Sequence, residues 1–347
     1  MYLNKLLDVY YKRPLLYDIF LNVLVISGLI GLEKYKIFHF DFDEKSNDIA
    51  TIGLTIAGFI LTLLTILLTL KSNSILSKEK NTTNAFKVFL TSNLGSNRLF
   101  QNKGELQFED ITEKAEVGGQ YGWSTGSNMV DINGDGFLDI YVCNLGDFEG
   151  KTGKNELFLN NTDGTFTEAA SAYGLDFSTF STQSCFFDYD NDGDLDMYLL
   201  NNSFKAIGSF NLQENERHKR DSLGGDKLYR NDGSHFTDVS EQAGIYGSVI
   251  GFGLGVMVSD VNGDGWQDIY VSNDFFEKDY LYINQQDGTF HESLERQIMS
   301  ISNASMGADM GDLNNDGWLD IFVTDMLPED ETRIKTNITF ESWDKHR

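Results

Sequence analysis

The sequence predicts an all-β chain, a β-propeller-type repeat array, preceded by an α-helical hydrophobic membrane segment. Three observations carry this reading. An acidic nonapeptide recurs four times. A β-rich hairpin pattern alternates with it. Ahead of both stand apolar runs long enough to span a bilayer. The expected organisation is a membrane segment over 1–70 with one or two spanning helices, a linker over 71–96 and the repeats over 97–347.

Composition changes near the same boundary. The 347 residues carry 53 acidic and 27 basic side chains, a formal net charge of −26. Residues 1–91 hold 10 basic and 8 acidic side chains, net +2, and residues 92–347 hold 17 and 45, net −28. The second part also holds 29 of the 33 glycines. A surface this acidic excludes nucleic acid as a partner, because phosphate binding needs basic side chains. Two cysteines exclude a disulfide-stapled scaffold and a four-Cys zinc site.

Ile49 to Leu70 is a run of 22 residues without a charge. As a helix rising ~1.5 Å per residue it reaches ~33 Å, enough for the hydrocarbon core. Leu15 to Leu32 is a weaker run of 18 residues that contains Asp18 and Asn22. It starts late for a signal peptide and lacks a clear A-x-A cleavage site. Asp18 lies near the end of its run, where a carboxylate snorkels to the interface. Lys5, Lys12 and Arg13 precede the first run, and Lys71, Lys78, Lys80 and Lys87 follow the second. The positive-inside rule then puts both ends in the cytoplasm.

The nonapeptides are DINGDGFLD at 131–139, DYDNDGDLD at 188–196, DVNGDGWQD at 260–268 and DLNNDGWLD at 312–320. Each reads D-x-[DN]-x-D-G-x-x-D and runs into a β-rich triplet, IYV, MYL, IYV or IFV. Hairpin patterns start at Leu99, Leu157, Leu228 and Leu281, each with two β-rich runs around an Asp-Gly or similar turn. From hairpin Leu to the next loop's first Asp is 32, 31, 32 and 31 residues; from loop to the next hairpin is 26, 40 and 21. The fixed span predicts packed structure and the variable one predicts surface connections. One sheet of this kind cannot bury both faces, so neighbouring sheets must stack.

The acidic loops read as calcium sites. A hard divalent cation takes several oxygen ligands at ~2.4 Å. Carboxylates or amides at positions 1, 3 and 5 converge when the chain wraps an ion, and Gly at position 6 permits the turn. Position 9 closes the shell, and the carbonyl of position 7 can add a ligand. The side chains are Asp131, Asn133, Asp135 and Asp139; Asp188, Asp190, Asp192 and Asp196; Asp260, Asn262, Asp264 and Asp268; and Asp312, Asn314, Asp316 and Asp320. An EF-hand needs a bidentate Glu at position 12. Here Val142, Leu199, Val271 and Val323 stand there, so that reading fails in every loop. The loops bring together 13 carboxylates. About four Ca²⁺ ions would offset that crowding, so stability is expected to depend on calcium. An oxygen-only donor set favours Ca²⁺ over zinc, and irregular geometry disfavours Mg²⁺.

Two motifs recurring in register resemble the FG-GAP/VCBS repeat proteins, most closely the cartilage acidic protein-like branch. The resemblance covers about residues 97–327. It implies a calcium-binding propeller similar to the integrin α-subunit head, usually seven-bladed and extracytoplasmic, with the sixteen side chains above as ligands. This chain departs from that pattern in three ways. It shows four loops rather than seven, it lacks the family's usual C-terminal domain, and its N-terminal hydrophobic pair is foreign to the pattern. The first hairpin could complete the last blade and close a four-bladed ring; membership of a larger propeller, or a fragment or fusion, is the other expectation. The calcium chemistry also conflicts with the flanking charges, because extracellular modules bind at ~10⁻⁴–10⁻³ M, which the cytosol does not supply. One membrane crossing resolves the conflict.

Several other patterns resemble sites. Gly122–Gly126 (GWSTG) matches a nucleophile elbow, but an acidic loop follows where a helix is required. Gly251–Gly255 (GFGLG) resembles a phosphate loop, yet it runs into Asp260 and Asp264 and reads better as a close-packed inner strand. His39, His218, His235, His291 and His346 show no zinc-hydrolase spacing. Cys143 and Cys185 read as buried free thiols. Phe137, Trp266 and Trp318 occupy position 7 of their loops, as strand-packing groups or a row that stacks on sugars. Lys205, Arg217, Lys219 and Arg220 make the one basic cluster of the acidic part, a solvated loop or a contact for an acidic ligand.

The sequence thus points to a non-enzymatic, membrane-tethered binding or adhesion module whose protein or glycan ligand is unspecified. Two alternatives stand beside it. A domain for cell-surface polysaccharide handling would line one cleft with acidic residues outside the loops, beside exposed aromatics. An inert scaffold of a larger envelope complex would bind no isolated ligand.

Overall fold

The computed structural model describes residues 87–325, apart from 94, 104–106, 149, 206–214, 234, 275–276 and 303. The chain divides into two compact units, Met1–Thr83 and Asn84–Arg347, and the described residues belong to the second. The apolar runs at 15–32 and 49–70 lie outside the described residues. Among the described residues no helix is long and apolar enough to cross a membrane.

The described part is all-β. The first sheet has three strands, β1 (Lys87–Leu90), β2 (Arg98–Asn102) and β3 (Phe108–Asp110). The second holds β4 (Ser124–Val130), β5 (Asp139–Asn144), β6 (Glu156–Asn160) and β7 (Phe166–Glu168). The third holds β8 (Ser181–Phe187), β9 (Asp196–Asn201), β10 (Lys227–Asn231) and β11 (Phe236–Asp238). The fourth holds β12 (Gly253–Ser259), β13 (Asp268–Asn273), β14 (Tyr280–Asn284) and β15 (Phe290–Glu292). The fifth pairs β16 (Ser305–Gly311) with β17 (Asp320–Asp325). Each four-stranded sheet is an antiparallel meander in sequence order. One-turn helices α1 (Thr112–Ala115), α2 (Ala170–Tyr173) and α3 (Leu294–Gln297) follow β3, β7 and β15.

The triplets after the acidic loops lie in β5, β9, β13 and β17, and the hairpins are β2–β3, β6–β7, β10–β11 and β14–β15. One expectation is corrected. The first hairpin does not complete the last sheet, because β2 pairs with β1 on one edge and β3 on the other. The strand that takes its free edge, Lys87–Leu90, lies inside the stretch read as linker. The described sheets form no closed ring.

Strand alternation explains the stacking. Successive side chains of a strand point to opposite faces, so a strand buried on both faces must be apolar throughout. In β9, Met197 and Leu199 pack with Tyr141, Cys143 and Leu157 of the second sheet. Tyr198 and Leu200 of the same strand pack with Val256, Ile269 and Val271 of the fourth. The strand β5 repeats this, with Ile140 and Val142 towards Leu99 and Tyr141 and Cys143 towards the third sheet. Each core therefore lies between two sheets, which is why no single sheet stands alone.

The first strands of successive sheets, β4, β8, β12 and β16, lie side by side. Thr125 Oγ1 donates to Ser181 O at 2.9 Å and Thr182 Oγ1 to Gly253 O at 3.1 Å. Glycine is required for this approach. A Cβ at Gly126 would stand 2.5 Å from Thr182 O, and one at Gly253 would stand 2.3 Å from the Leu200 side chain. The GFGLG run is thus inner-strand packing against a neighbouring sheet.

Candidate metal centres in the acidic loops

Each nonapeptide joins the first strand of a sheet to the second. In the first loop both oxygens of Asp131 fold back onto the backbone, accepting from Asp135 N at 3.0 Å and Gly136 N at 2.8 Å. Asp135 Oδ1 accepts from Phe137 N at 2.8 Å. The same bonds recur in the other loops at Asp188, Asp260 and Asp312 and at Asp192, Asp264 and Asp316. Repeated acidic residue types thus produce one loop conformation, with a carboxylate at position 1 as its hub.

Position 9 has a second task. Asp139 Oδ2 accepts from Ile132 N within the loop, and its Oδ1 accepts from Asn160 N on β6 at 2.8 Å. Asp196 does the same with Tyr189 N and Asn231 N, and Asp268 with Val261 N and Asn284 N. The hairpin asparagine reciprocates, its side chain donating to Leu138 O, Leu195 O and Gln267 O. The two recurring motifs are therefore locked together. Asp320 Oδ2 accepts from Leu313 N in the fourth loop.

The second loop differs from the rest. In the others an asparagine at position 3 donates its amide to the position 5 carboxylate, Asn133 to Asp135, Asn262 to Asp264 and Asn314 to Asp316, at 2.9–3.0 Å. Asp190 cannot donate. Its Oδ1 is buried without a partner, as is Asp194 Oδ1 beside it. Asp188, Asp190 and Asp196 bring carboxylate oxygens within 4.8 Å of one another.

Burial and crowding act on these acids. Burial pushes Asp196 up to about 7, opposed by the N–H groups of Asn231 and Tyr189 and reinforced by Asp190 and Asp194. Burial pushes Asp268 up to about 6 and raises Asp139. Asp190 is raised by burial first and by Asp192 and Asp188 next. A set of oxygen donors with an unpartnered buried carboxylate oxygen fits a hard divalent cation.

A second row of polar residues lies at the far ends of the second strands. Two residues before each hairpin Leu stand Asn97, Asn155, Asp226 and Asp279. Asn155 Oδ1 accepts from Asn144 N at 2.8 Å, Asp226 Oδ1 from Asn201 N at 3.0 Å and Asp279 Oδ1 from Asn273 N at 2.8 Å. A tyrosine hydroxyl partners each: Asn155 Nδ2 donates to Tyr141 Oη, and the Tyr198 and Tyr270 hydroxyls donate to Asp226 and Asp279. The recurring [DN]-x-L ahead of each hairpin was the available signal.

The remaining patterns are structural where the described residues reach them. Ser124 of GWSTG opens β4, and its Oγ donates to Asn144 Oδ1 at 2.7 Å. Cys143 and Cys185 are free, and burial raises their thiols to about 12 and 11. Trp318 reaches back over the preceding loop, its ring 3.4 Å from where a Cβ on Gly263 would stand, yet is 63% exposed. Trp266 borders a cleft of about 420 Å³ with Asp190, Arg230 and Asp287. Asp287 is the one acid of that lining outside the loops. In the basic cluster Lys205 pairs with Asp221, Arg217 with Glu277 and Lys219 with Glu216.

A model of the FG-GAP-like repeat matches residues 88–142, 146–199 and 260–323. Cartilage acidic protein 1 of Xenopus tropicalis is 30% identical over 192 residues, 54% of this chain and 27% of that protein. Integrin alpha-3 of Mus musculus is 30% identical over 99 residues, covering 25% and 9%. Integrin alpha-6 of Homo sapiens is 35% identical over 83 residues, covering 21% and 7%. The chain thus spans about a quarter or less of these relatives. A solved chain from work on recognition of non-reducing terminal N-acetylglucosamine by an Agrocybe aegerita lectin aligns over 69% of this chain and 75% of its own. Its identity is 16% and its TM-score 0.29, too loose a match to bear on fold or function.

Proposed function

The chain belongs to the FG-GAP-like repeat family, and from that premise we propose a calcium-stabilised binding or adhesion module, tethered by its N-terminal segment and facing away from the cytoplasm. One observation carries the calcium part: an oxygen-only loop whose position 9 carboxylate also holds the next hairpin through Asn160, Asn231 or Asn284. In each loop the four side chains at positions 1, 3, 5 and 9 would hold the ion. Bound there, Ca²⁺ supplies charge that offsets carboxylate repulsion. The protein's own part is to hold loop and hairpin in one arrangement, so that the connectors at the opposite strand ends keep a fixed spacing for a ligand. The location follows from calcium availability, and one of the two apolar runs crossing the membrane satisfies it.

Binding of the full chain to immobilised matrix proteins and glycans, with calcium and with EGTA, tests this reading. The expected result is capture in calcium that EGTA abolishes. Capture indifferent to chelation, or no ligand in either condition, overturns it.

A further inference from the structure

The basic cluster belongs to the connector between β9 and β10. Of its described residues, 215–225 are tied to other segments at several points. Asp221 N donates to Gly247 O and Val249 N donates to Lys219 O, both at 2.8 Å. Arg220 Nη1 donates to Ile245 O at 2.8 Å. The ring of His218 stands edge-on to Tyr246, centroids 5.3 Å apart. Arg217 then reaches the connector between β13 and β14, where its Nε donates to Glu277 Oε1 at 2.6 Å.

The acceptor is unusual. Glu277 is fully buried at 0% exposure, and its second oxygen, Oε2, has no partner. The hydroxyl of Tyr280 is also fully buried and unpartnered. A buried carboxylate is tolerated when a cation and hydrogen bonds answer it on both oxygens. Here one oxygen is answered and the other is left over, which is where a proton would go.

We propose that Arg217 and Glu277 form an acid-operated latch: a proton from solvent, taken up on Glu277 Oε2, cancels the charge that holds Arg217, and residues 215–221 lift away from the neighbouring sheet. The hydroxyl of Tyr280, buried and unpartnered, lies on the same segment three residues on. Arg217 keeps its own charge throughout, and without a counter-charge a largely buried guanidinium is better solvated by water. Opening exposes Tyr246, Tyr280 and the neutral acid at the strand ends opposite the acidic loops.

The surrounding charges set the direction. Burial raises the Glu277 carboxyl above its ordinary range, while Arg217 and then Lys278 pull it back, and burial prevails. Lys278 is itself engaged by Glu295 of α3. Tyr246 and Tyr280 face the pair from their own segments, and His218 adjoins Tyr246. Asp226, at the foot of β10, acts on Tyr280 and Tyr282 and is pushed by burial to about 7, so it titrates nearby and serves as the control.

Hydrogen exchange of the full chain in saturating calcium, at neutral and mildly acidic pH with intrinsic rates corrected, tests the latch. Protection at Asp221 N and Val249 N should fall by roughly tenfold or more on acidification, one pKa unit being a tenfold change in population. Glu277→Gln should leave both amides unprotected at either pH, and Arg217→Ala should do the same. Asp226→Asn should keep the wild-type response. Protection of the β9 amides reports whether each variant is folded. Wild-type protection unchanged by pH overturns the latch, and so does a folded Glu277→Gln chain that keeps the acid response.

Discussion

The second acidic loop and its three sisters share one backbone path but not one electrostatic state. In the first, third and fourth loops the asparagine at position 3 donates to the carboxylate at position 5, so part of the negative charge is answered within the loop. In the second loop Asp190 takes that place, Asp194 adds another carboxylate, and each leaves a buried oxygen unpartnered. The difference teaches that a repeated motif need not be equally dependent on its ion. The sister loops satisfy themselves in part; the second has its donors poised and unanswered, and a cation has most to stabilise there.

The largest expected effect concerns what the first three loops share. Asp196→Ala removes the acceptor of two backbone N–H groups, one in the loop and one on β10. At about 1–3 kcal/mol for each buried group left unsatisfied, the loss should be about 3 kcal/mol or more by urea denaturation. Asp320→Ala, whose carboxylate accepts from Leu313 N, should cost about 1 kcal/mol. Equal losses would show that the loop–hairpin lock carries no stability.

Next comes the far end of the same sheet, where a carboxylate titrates without any role for an ion. Asp226 is raised from 3.8 to about 7 by burial, against the pull of Asn201 N and the Tyr198 hydroxyl. A folded pKa above the unfolded one means the folded state holds the proton longer. Its contribution is fully present below about pH 4 and is lost as pH rises through about 7. Stability profiles in calcium should therefore differ by a few kcal/mol across this window between wild type and Asp226→Asn, the variant lacking the decline. Parallel profiles would count against it.

Smaller effects test the sister comparison directly. Asp190→Asn gives the second loop the sisters' amide, so it should gain about 1 kcal/mol in EGTA and lose calcium affinity. Asn262→Asp should do the reverse in the third loop. Melting curves with and without chelator read both, and changes of the same sign in the two conditions would break the comparison. Trp318→Ala should cost least, about 0.5 kcal/mol, because an exposed ring gains little by burial.

Much of this was legible in the sequence. The nonapeptides marked the loop between the first two strands of each four-stranded sheet, and the first three β-rich triplets marked strands buried along their whole length. The inner-strand glycines were legible because GFGLG ran into an acidic loop that no phosphate would approach. What escaped depended on long-range partners. Lys87–Leu90 has no acidic loop ahead of it and nothing local distinguishes its four residues, yet β2 supplies its register. The lock between Asp139 and Asn160 needed the hairpin folded beside the loop before the shared Asn gained meaning. Arg217 read as one member of the basic cluster and Glu277 carried no signal, because their pairing needed two distant connectors folded side by side. Charge alone marked the basic cluster, and the fold adds that Lys205, Arg217 and Lys219 pair with acids of the chain itself.

Calorimetric calcium titration of the full chain, run beside Asp190→Asn, tests the central claim most directly. Saturable binding of about four ions, with one class weakened in the variant and a melting temperature that falls in EGTA, is the predicted result. No saturable binding, or melting unchanged by chelation, would contradict it and leave the loops as acidic turns held by their own hydrogen bonds.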